Sequence, residues 1–418
     1  MHHWATALWP ITRSLTGDGV RATLRYLQRL LPELQVHEVP SGTPALDWTV
    51  PDEWNITAAW VEDASGQRLI DFEDSNLHVV GYSEPINRWF DRDELEEHLH
   101  SLPDQPEAVP YVTSYYRRTW GFCLTHEQRA RLGNGPFRVV IDSTLEPGHL
   151  TYADAVIPGA SDEEVLISTY ICHPSMANNE LSGPVVTTAI GRWLTALPER
   201  RYTYRLLYAP ETIGSLVYLS KHLQHLKKHV TAGWVATCMG DERAYSYVPS
   251  RLGGTVADRV SLQVLGELDE VHYYSFLDRG SDERQWCSPG ADLPVCSVMR
   301  SKYGRYPEYH TSLDDLELVT PEGLQGGYQL LRSCIELLEA NATWSSVMPG
   351  EPQMGRHGLY PTTSVKGGAG STRAMMNVLA YCDGEHDLID LSNRTGLRWR
   401  DVSEILERLE RVNVIRSQ

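Results

Sequence analysis

Apolar side chains recur at helical spacing over residues 15–31, through Val20, Leu24, Tyr26, Leu27, Leu30 and Leu31, with Thr16 or Asp18 placed to cap the start and Pro32 to stop the run. From Val36 to about Pro110 the pattern shortens to alternating segments broken by Pro, Gly, Asp and Asn, and residues 48–50, 56–61 and 77–82 predict strands. Trp120, Phe122 and residues 137–141 continue that β character. Past residue 150 the texture becomes a regular alternation. Residues 165–167 predict a strand and 183–196 a helix, 204–208 and 214–226 repeat the pair, and 232–237 and 293–299 are further buried strands. A long amphipathic helix is expected over Pro321–Ala340. Such βα alternation predicts a mostly parallel sheet with helices on both faces.

After Pro349 the chain turns rich in Gly, Pro, Ser and Thr, which reads as a linker over 346–371. Beyond it, residues 373–381, 388–395 ending at Gly396, and 399–412 predict helices in the order of a helix-turn-helix, and Val414 and Ile415 could begin a wing strand. The expected plan is an α/β domain from 1–35 and 150–345, a β-rich insertion at 36–149, the linker, and a winged helix-turn-helix at 372–418.

Composition changes this picture only at its edges. A chain of 418 residues exceeds what one core usually organises. A net charge of −18 argues against coating nucleic acid or anionic membrane, while leaving room for a small DNA-binding module. The 7 cysteines lack Cys-x-x-Cys spacing and fit free thiols. No secretory leader and no membrane-length apolar run is visible, so the cytoplasm is the expected location and no membrane partner is expected.

The candidate chemistry sits where predicted strands end. Residues 165–171 run into Cys172-His173-Pro174-Ser175-Met176-Ala177-Asn178-Asn179-Glu180-Leu181-Ser182-Gly183, a turn carrying an imidazole, amides and a carboxylate. The next two strands lead to Glu211 and to Asp241. In open α/β sheets the strand ends share one rim, so such side chains can converge without being near in sequence. A His and carboxylate cluster suits zinc. His310, in a loop crowded with Tyr, Arg and Lys, completes the set, and the charged loop 278–290 is either a surface loop or part of a site.

The order of these motifs resembles the zinc aminopeptidase clan that contains bacterial leucyl aminopeptidases and glutamate carboxypeptidase. More closely, the chain is similar to an uncharacterised bacterial aminopeptidase-like family with an inserted β domain and a C-terminal winged helix. Cys172–Asn178, Pro210-Glu211-Thr212-Ile213-Gly214, Gly280-Ser281-Asp282-Glu283-Arg284-Gln285 and Pro307–Asp314 carry that likeness. It implies a mixed, mostly parallel sheet flanked by helices, of zinc-exopeptidase type.

The resemblance also implies a metal-dependent amide hydrolase. Zinc would be held by His173, His310 and Asp241, with Asn179 or Glu180 in or beside the ligand set, and Glu211 aligns with the general base. Glu180, Arg279, Asp282, Glu283, Tyr303 and Tyr306 would serve the substrate pocket. This chain departs from the clan at two places: Asn179 stands where a bridging Asp is usual, and Thr212 where a second Glu would bind metal. Those departures imply one zinc ion rather than two, or no stable metal. The later Asp of the clan falls on Asp241 or, in another register, on Thr237 or Cys238. The expected substrate is a small peptide or an aminoacyl or acylamino metabolite. The competing reading is an inactive, peptidase-like binding protein with a regulatory winged helix. In the C-terminal module Arg394, Arg398, Arg400, Arg408 and Arg411 are interleaved with Asp401, Glu404, Glu407 and Glu410, so protein contact or self-association through the insertion or the winged helix is expected before nucleic acid.

Overall fold

The computed structural model describes residues 1–359 and 368–418. Part of the linker expected over 346–371 thus lies outside the described residues. The described part of that stretch holds a short 3-10 helix, Met354–His357.

The chain forms two compact units. The first comprises Met1–Asp258 and Asp269–Leu331. Its centre is an eight-stranded mixed sheet in the order Gln35–Pro40, His149–Ile157, Thr203–Ala209, Glu164–Tyr170, Val230–Val235, Val295–Met299, Tyr245–Val248, Val271–Tyr273. The inner strands Thr203–Ala209, Glu164–Tyr170, Val230–Val235 and Val295–Met299 run parallel to one another. Glu164–Tyr170 is buried at every position, which explains its unbroken apolar and β-branched sequence. Helices Ser182–Ala196 and Ile213–His229 follow the first two βα crossings, as their periodicity predicts.

A second sheet of the same unit is antiparallel, in the order Arg68–Asp71, Glu53–Glu62, Phe137–Glu146, Ile86–Phe90. The expected strand at 77–82 is not formed. Asn76–His78 is instead a 3-10 turn capped by Ser75, and its neighbours make only single bridges, Val79 with Phe122 and Gly81 with Thr113. Leu77, His78, Val79 and Val80 are all buried, so an alternating sequence was no guide to alternating burial there. The helix Asp18–Leu30 starts at Gly17 rather than on a capping side chain, because the Thr16 hydroxyl pairs with Tyr82 and accepts from the Trp54 amide instead.

The turn after Glu164–Tyr170 positions the site. Residues Ala177–Leu181 form one π-helical turn that leads straight into Ser182–Ala196. Wide turns of this kind gather at functional sites. Gly183 permits the approach: a Cβ there would lie 2.3 Å from the Ala236 carbonyl oxygen.

The second unit comprises Arg259–Leu268 and Arg332–Gln418. Its strands Asp383–Asp387, Thr343–Ser346 and Ile415–Ser417 form a three-stranded sheet with Thr343–Ser346 in the centre. Helices Gly368–Leu379, Leu388–Thr395 and Trp399–Arg411 complete a winged helix-turn-helix. Asp387 and Asp390 form a capping box, and Gly396, at φ +68°, ends the middle helix. Leu388, Leu391, Val402, Leu406, Leu409 and Val414 make its core.

Candidate metal centre

His173 lies just beyond the strand Glu164–Tyr170 and Glu211 just beyond its parallel neighbour Thr203–Ala209, so both arrive at one rim of the sheet. His173 Nε2 lies 3.9 Å from Glu211 Oε2. His310 comes from a distant loop, and its ring centroid is 5.4 Å from that of His173. The structure therefore brings His173, Glu211 and His310 together, and all of them line one cavity of about 320 Å³.

His173 is fixed from behind. Its Nδ1 is 2.8 Å from Glu180 Oε2, and its carbonyl accepts a hydrogen bond from Arg13 Nε at 2.9 Å. Arg13 and Glu180 are fully buried and sit 3.5 Å apart. With Nδ1–H donating to Glu180, the free lone pair of the ring is on Nε2, which faces Glu211. Burial holds both His173 and His310 at a pKa of about 3, so both imidazoles are neutral and can ligate near neutral pH. Burial pushes Glu180 up to about 8 against the opposing pull of Arg13.

His310 has a left-handed backbone, φ +57°, and its Nε2 is buried with no hydrogen-bond partner among the described residues. Tyr309 stacks on one side of its ring, and Tyr111 donates its amide to the His310 carbonyl at 2.8 Å. Thr212, next to Glu211, also has positive φ, +65°, which is strained for a β-branched residue. Asp282 holds that backbone by accepting from the Thr212 amide at 2.8 Å and the Ser215 hydroxyl at 2.9 Å. Burial and the neighbouring Asp282 raise Glu211 to about 8, and burial raises Asp282 to about 6.

Other expected site residues are placed elsewhere or engaged otherwise. Both carboxylate oxygens of Asp241 are occupied, by the Asn178 amide, the Ser301 amide and hydroxyl, and the Arg243 amide, so it braces loops instead of joining the histidines. Asn179 donates its side-chain amide to the Tyr170 hydroxyl at 2.7 Å, and its Oδ1 has no partner among the described residues. Glu283 accepts from the Gly280 and Ser281 amides and from Tyr303, which uses up the Tyr303 hydroxyl as well. Tyr306 donates to Asp314, whose oxygens also receive the amides of Asn178 and Asn179. Arg279 is exposed and lies over the Phe276 ring, away from the cavity.

Several participants escaped sequence reasoning. Arg13 lies in a polar stretch before the first long helix, where nothing marks it as buried. Tyr111, Tyr115 and Tyr116 form the aromatic wall of the cavity with Trp48, and Arg284 stands at its edge. The density of tyrosines in Tyr111-Val112-Thr113-Ser114-Tyr115-Tyr116 was the available signal. Cys172 Sγ lies 3.4 Å from His173 Nδ1, so Cys172, His173 and Glu180 offer a second close cluster of ligand atoms. That nitrogen is already bonded to Glu180, and Cys172 Sγ accepts from the Glu211 amide at 3.2 Å; burial keeps the thiol well above its ordinary pKa.

Comparison with known proteins agrees with this architecture. A Clostridium acetobutylicum protein whose provisional name couples polysaccharide biosynthesis to an aminopeptidase-like domain is 42% identical over 414 residues, covering 98% of this chain and 94% of that protein. A crystal structure from the same organism, provisionally named a peptidase, superposes with a TM-score of 0.94 at 40% identity, covering 100% of this chain and 96% of the other. A zinc aminopeptidase of Bacillus subtilis shares the fold at 12% identity, with a TM-score of 0.55 over 80% of this chain and 93% of its own. Residues 342–417 match the winged helix-turn-helix family. Residues 2–341 match the family described as a domain of unknown function (DUF4910), and the chain belongs to it.

Proposed function

We propose that the protein is a mononuclear zinc amide hydrolase of aminopeptidase type, with the metal on His173 and His310. The unpaired, buried Nε2 of His310 beside the freed Nε2 of His173 carries this reading. Two imidazoles on one tetrahedral zinc place their ring centroids about 5 Å apart, given ordinary Zn–N lengths; these two are 5.4 Å apart. The Asn179 Oδ1 is a neutral oxygen without a partner among the described residues, but Asn179 is not among the residues that line the cavity of His173 and His310. When bound, zinc would acidify a water and polarise the substrate carbonyl.

The chain supplies the remainder. In its carboxylate form, which a nearby cation would favour over the protonated form that burial favours, Glu211 takes a proton from the attacking water and returns it to the leaving amine. Glu180, backed by Arg13, keeps His173 in the tautomer that presents Nε2. Trp48, Tyr111, Tyr115 and Tyr116 exclude water around a small substrate. Because the C. acetobutylicum relative is named for polysaccharide biosynthesis, acylated amino sugars belong in the substrate screen with aminoacyl amides and dipeptides.

The test combines zinc content with turnover. Purified protein should carry one zinc per chain by mass spectrometry, and His310→Ala should lose it. Glu211→Gln should keep the zinc and lose activity by roughly 100-fold or more. Zinc-free wild-type protein, or unchanged turnover in Glu211→Gln, overturns the assignment. A non-hydrolytic binding protein is the second reading, favoured by the amide of Asn179 standing where the clan has a carboxylate. It gains support if zinc is absent and ligands still bind.

A further inference from the structure

A second cavity, of about 460 Å³, lies outside the candidate centre and shares none of its lining residues with the cavity around His173. It is lined by strand Tyr245–Val248, by residues 272 and 274, and by the loop 301–307. Its character is cationic, in a chain of net charge −18.

Lys302 is the central group. The residue is only 5% exposed, its ammonium makes one hydrogen bond, to the Tyr303 carbonyl at 3.3 Å, and it rests 3.8 Å from the Tyr303 ring centroid. Among the described residues it has no ion pair. Burial lowers its pKa, against the pull of the Glu283 and Asp278 carboxylates. Arg305 reaches the same cavity, bonded to Asp278 through one guanidinium nitrogen at 3.3 Å, and Arg243 borders it while paired with Glu308. Ser246 supplies an independent observation: it is fully buried, it lines the cavity, and its Oγ has no hydrogen-bond partner among the described residues. A buried cation with spare donors, a second cation with spare donors and an orphaned hydroxyl are the groups an oxyanion would satisfy.

We infer that this cavity binds an organic phosphate, with the phosphoryl group on Lys302, Arg305 and Ser246 and the attached moiety against Tyr274. The volume decides for an organic phosphate over the bare ion, since it falls in the range of pockets that hold small metabolites. Tyr274 already has the Lys302 and Arg305 cations near its ring, at 5.4 Å and 5.7 Å, so its face adjoins the phosphoryl position.

The site is tested by binding to the full chain, independently of hydrolysis. Line broadening of inorganic phosphate in phosphorus NMR reads the shared chemistry, and calorimetric competition with glucose 6-phosphate and AMP, against glucose and adenosine, reads the attached moiety. Phosphate should broaden, and at least one of the two esters should bind tenfold or more tightly than phosphate, with neither parent alcohol binding. Lys302→Gln should weaken binding at least tenfold, and Arg305→Ala, an exposed change that leaves the fold intact, severalfold. His310→Ala should bind as the wild type does, which separates this cavity from the candidate metal centre. No broadening, ester affinity no better than that of phosphate, binding unchanged in both cavity variants, or binding lost in His310→Ala overturns the inference.

Discussion

Arg13 shows how much of the centre depends on a residue that touches no substrate. Its guanidinium is buried, donates to the carbonyls of His173 and Leu8, and stands 3.5 Å from Glu180. Above about pH 8 Glu180 is ionised and the two form a buried ion pair; removing one member then leaves the other charge without compensation, whereas removing both is often nearly neutral. Arg13→Met is therefore expected to destabilise the chain by on the order of 3 kcal/mol, and Arg13→Met with Glu180→Gln to recover most of that loss. Urea unfolding of both single variants and the double variant measures the coupling; additive losses would show that the two side chains act separately. The sequence disclosed the other side of this arrangement. A histidine, amides and a glutamate after an apolar strand marked the turn 172–183, and strand ends also marked Glu211. It could not disclose Arg13, because burial of a cation depends on partners 160 residues away. Nor could it separate Asp241 from the ligands, since Asp241 occupies a strand-end position like the others and differs only in having its oxygens already bonded.

At the scale of elements, legibility followed burial on both faces. The strands Glu164–Tyr170 and Thr203–Ala209 and the helices that follow them could be read because their sequences answer to a single environment along their length. The strand Gln35–Pro40 was read with the β-rich insertion, yet it pairs with His149–Ile157 at the edge of the main sheet. Its largely exposed residues carry no signal of which sheet receives them. The helix Asp18–Leu30 is joined to the strand Glu53–Glu62 by Arg21 and Glu53. Glu53 also accepts from the His149 amide and the Asn55 side chain, and the Arg21 bond leads in lowering its pKa from 4.5 to about 2. A carboxylate depressed on folding stabilises the protein above its unfolded pKa, and the contribution fades as pH falls through the folded value. Glu53→Gln should thus cost on the order of 2 kcal/mol near neutrality, with the difference from wild type shrinking between about pH 4.5 and about pH 2. Denaturation midpoints of both proteins across that range measure it, and a constant difference would remove this pair from the account of acid stability.

For the whole molecule, charge bears most directly on the winged helix. A protein that grips duplex DNA neutralises phosphates with a positive face, and its affinity falls steeply with salt. Here the chain carries −18 overall, and the helix Trp399–Arg411 intersperses Arg400, Arg408 and Arg411 with Asp401, Glu404, Glu407 and Glu410. Arg400 is further engaged within its own unit, with Ser333 and Glu336. The recognition-helix position is filled, but its charge is nearly balanced rather than positive. The full chain is therefore expected to leave duplex DNA unshifted in gel retardation at low salt, where phosphate contacts are strongest. Charge reversal offers the stringent comparison: replacing Glu404, Glu407 and Glu410 with Lys should create salt-sensitive retardation if the scaffold is otherwise competent. Retardation by the unaltered chain that weakens with salt would instead locate a phosphate-binding face beyond this helix.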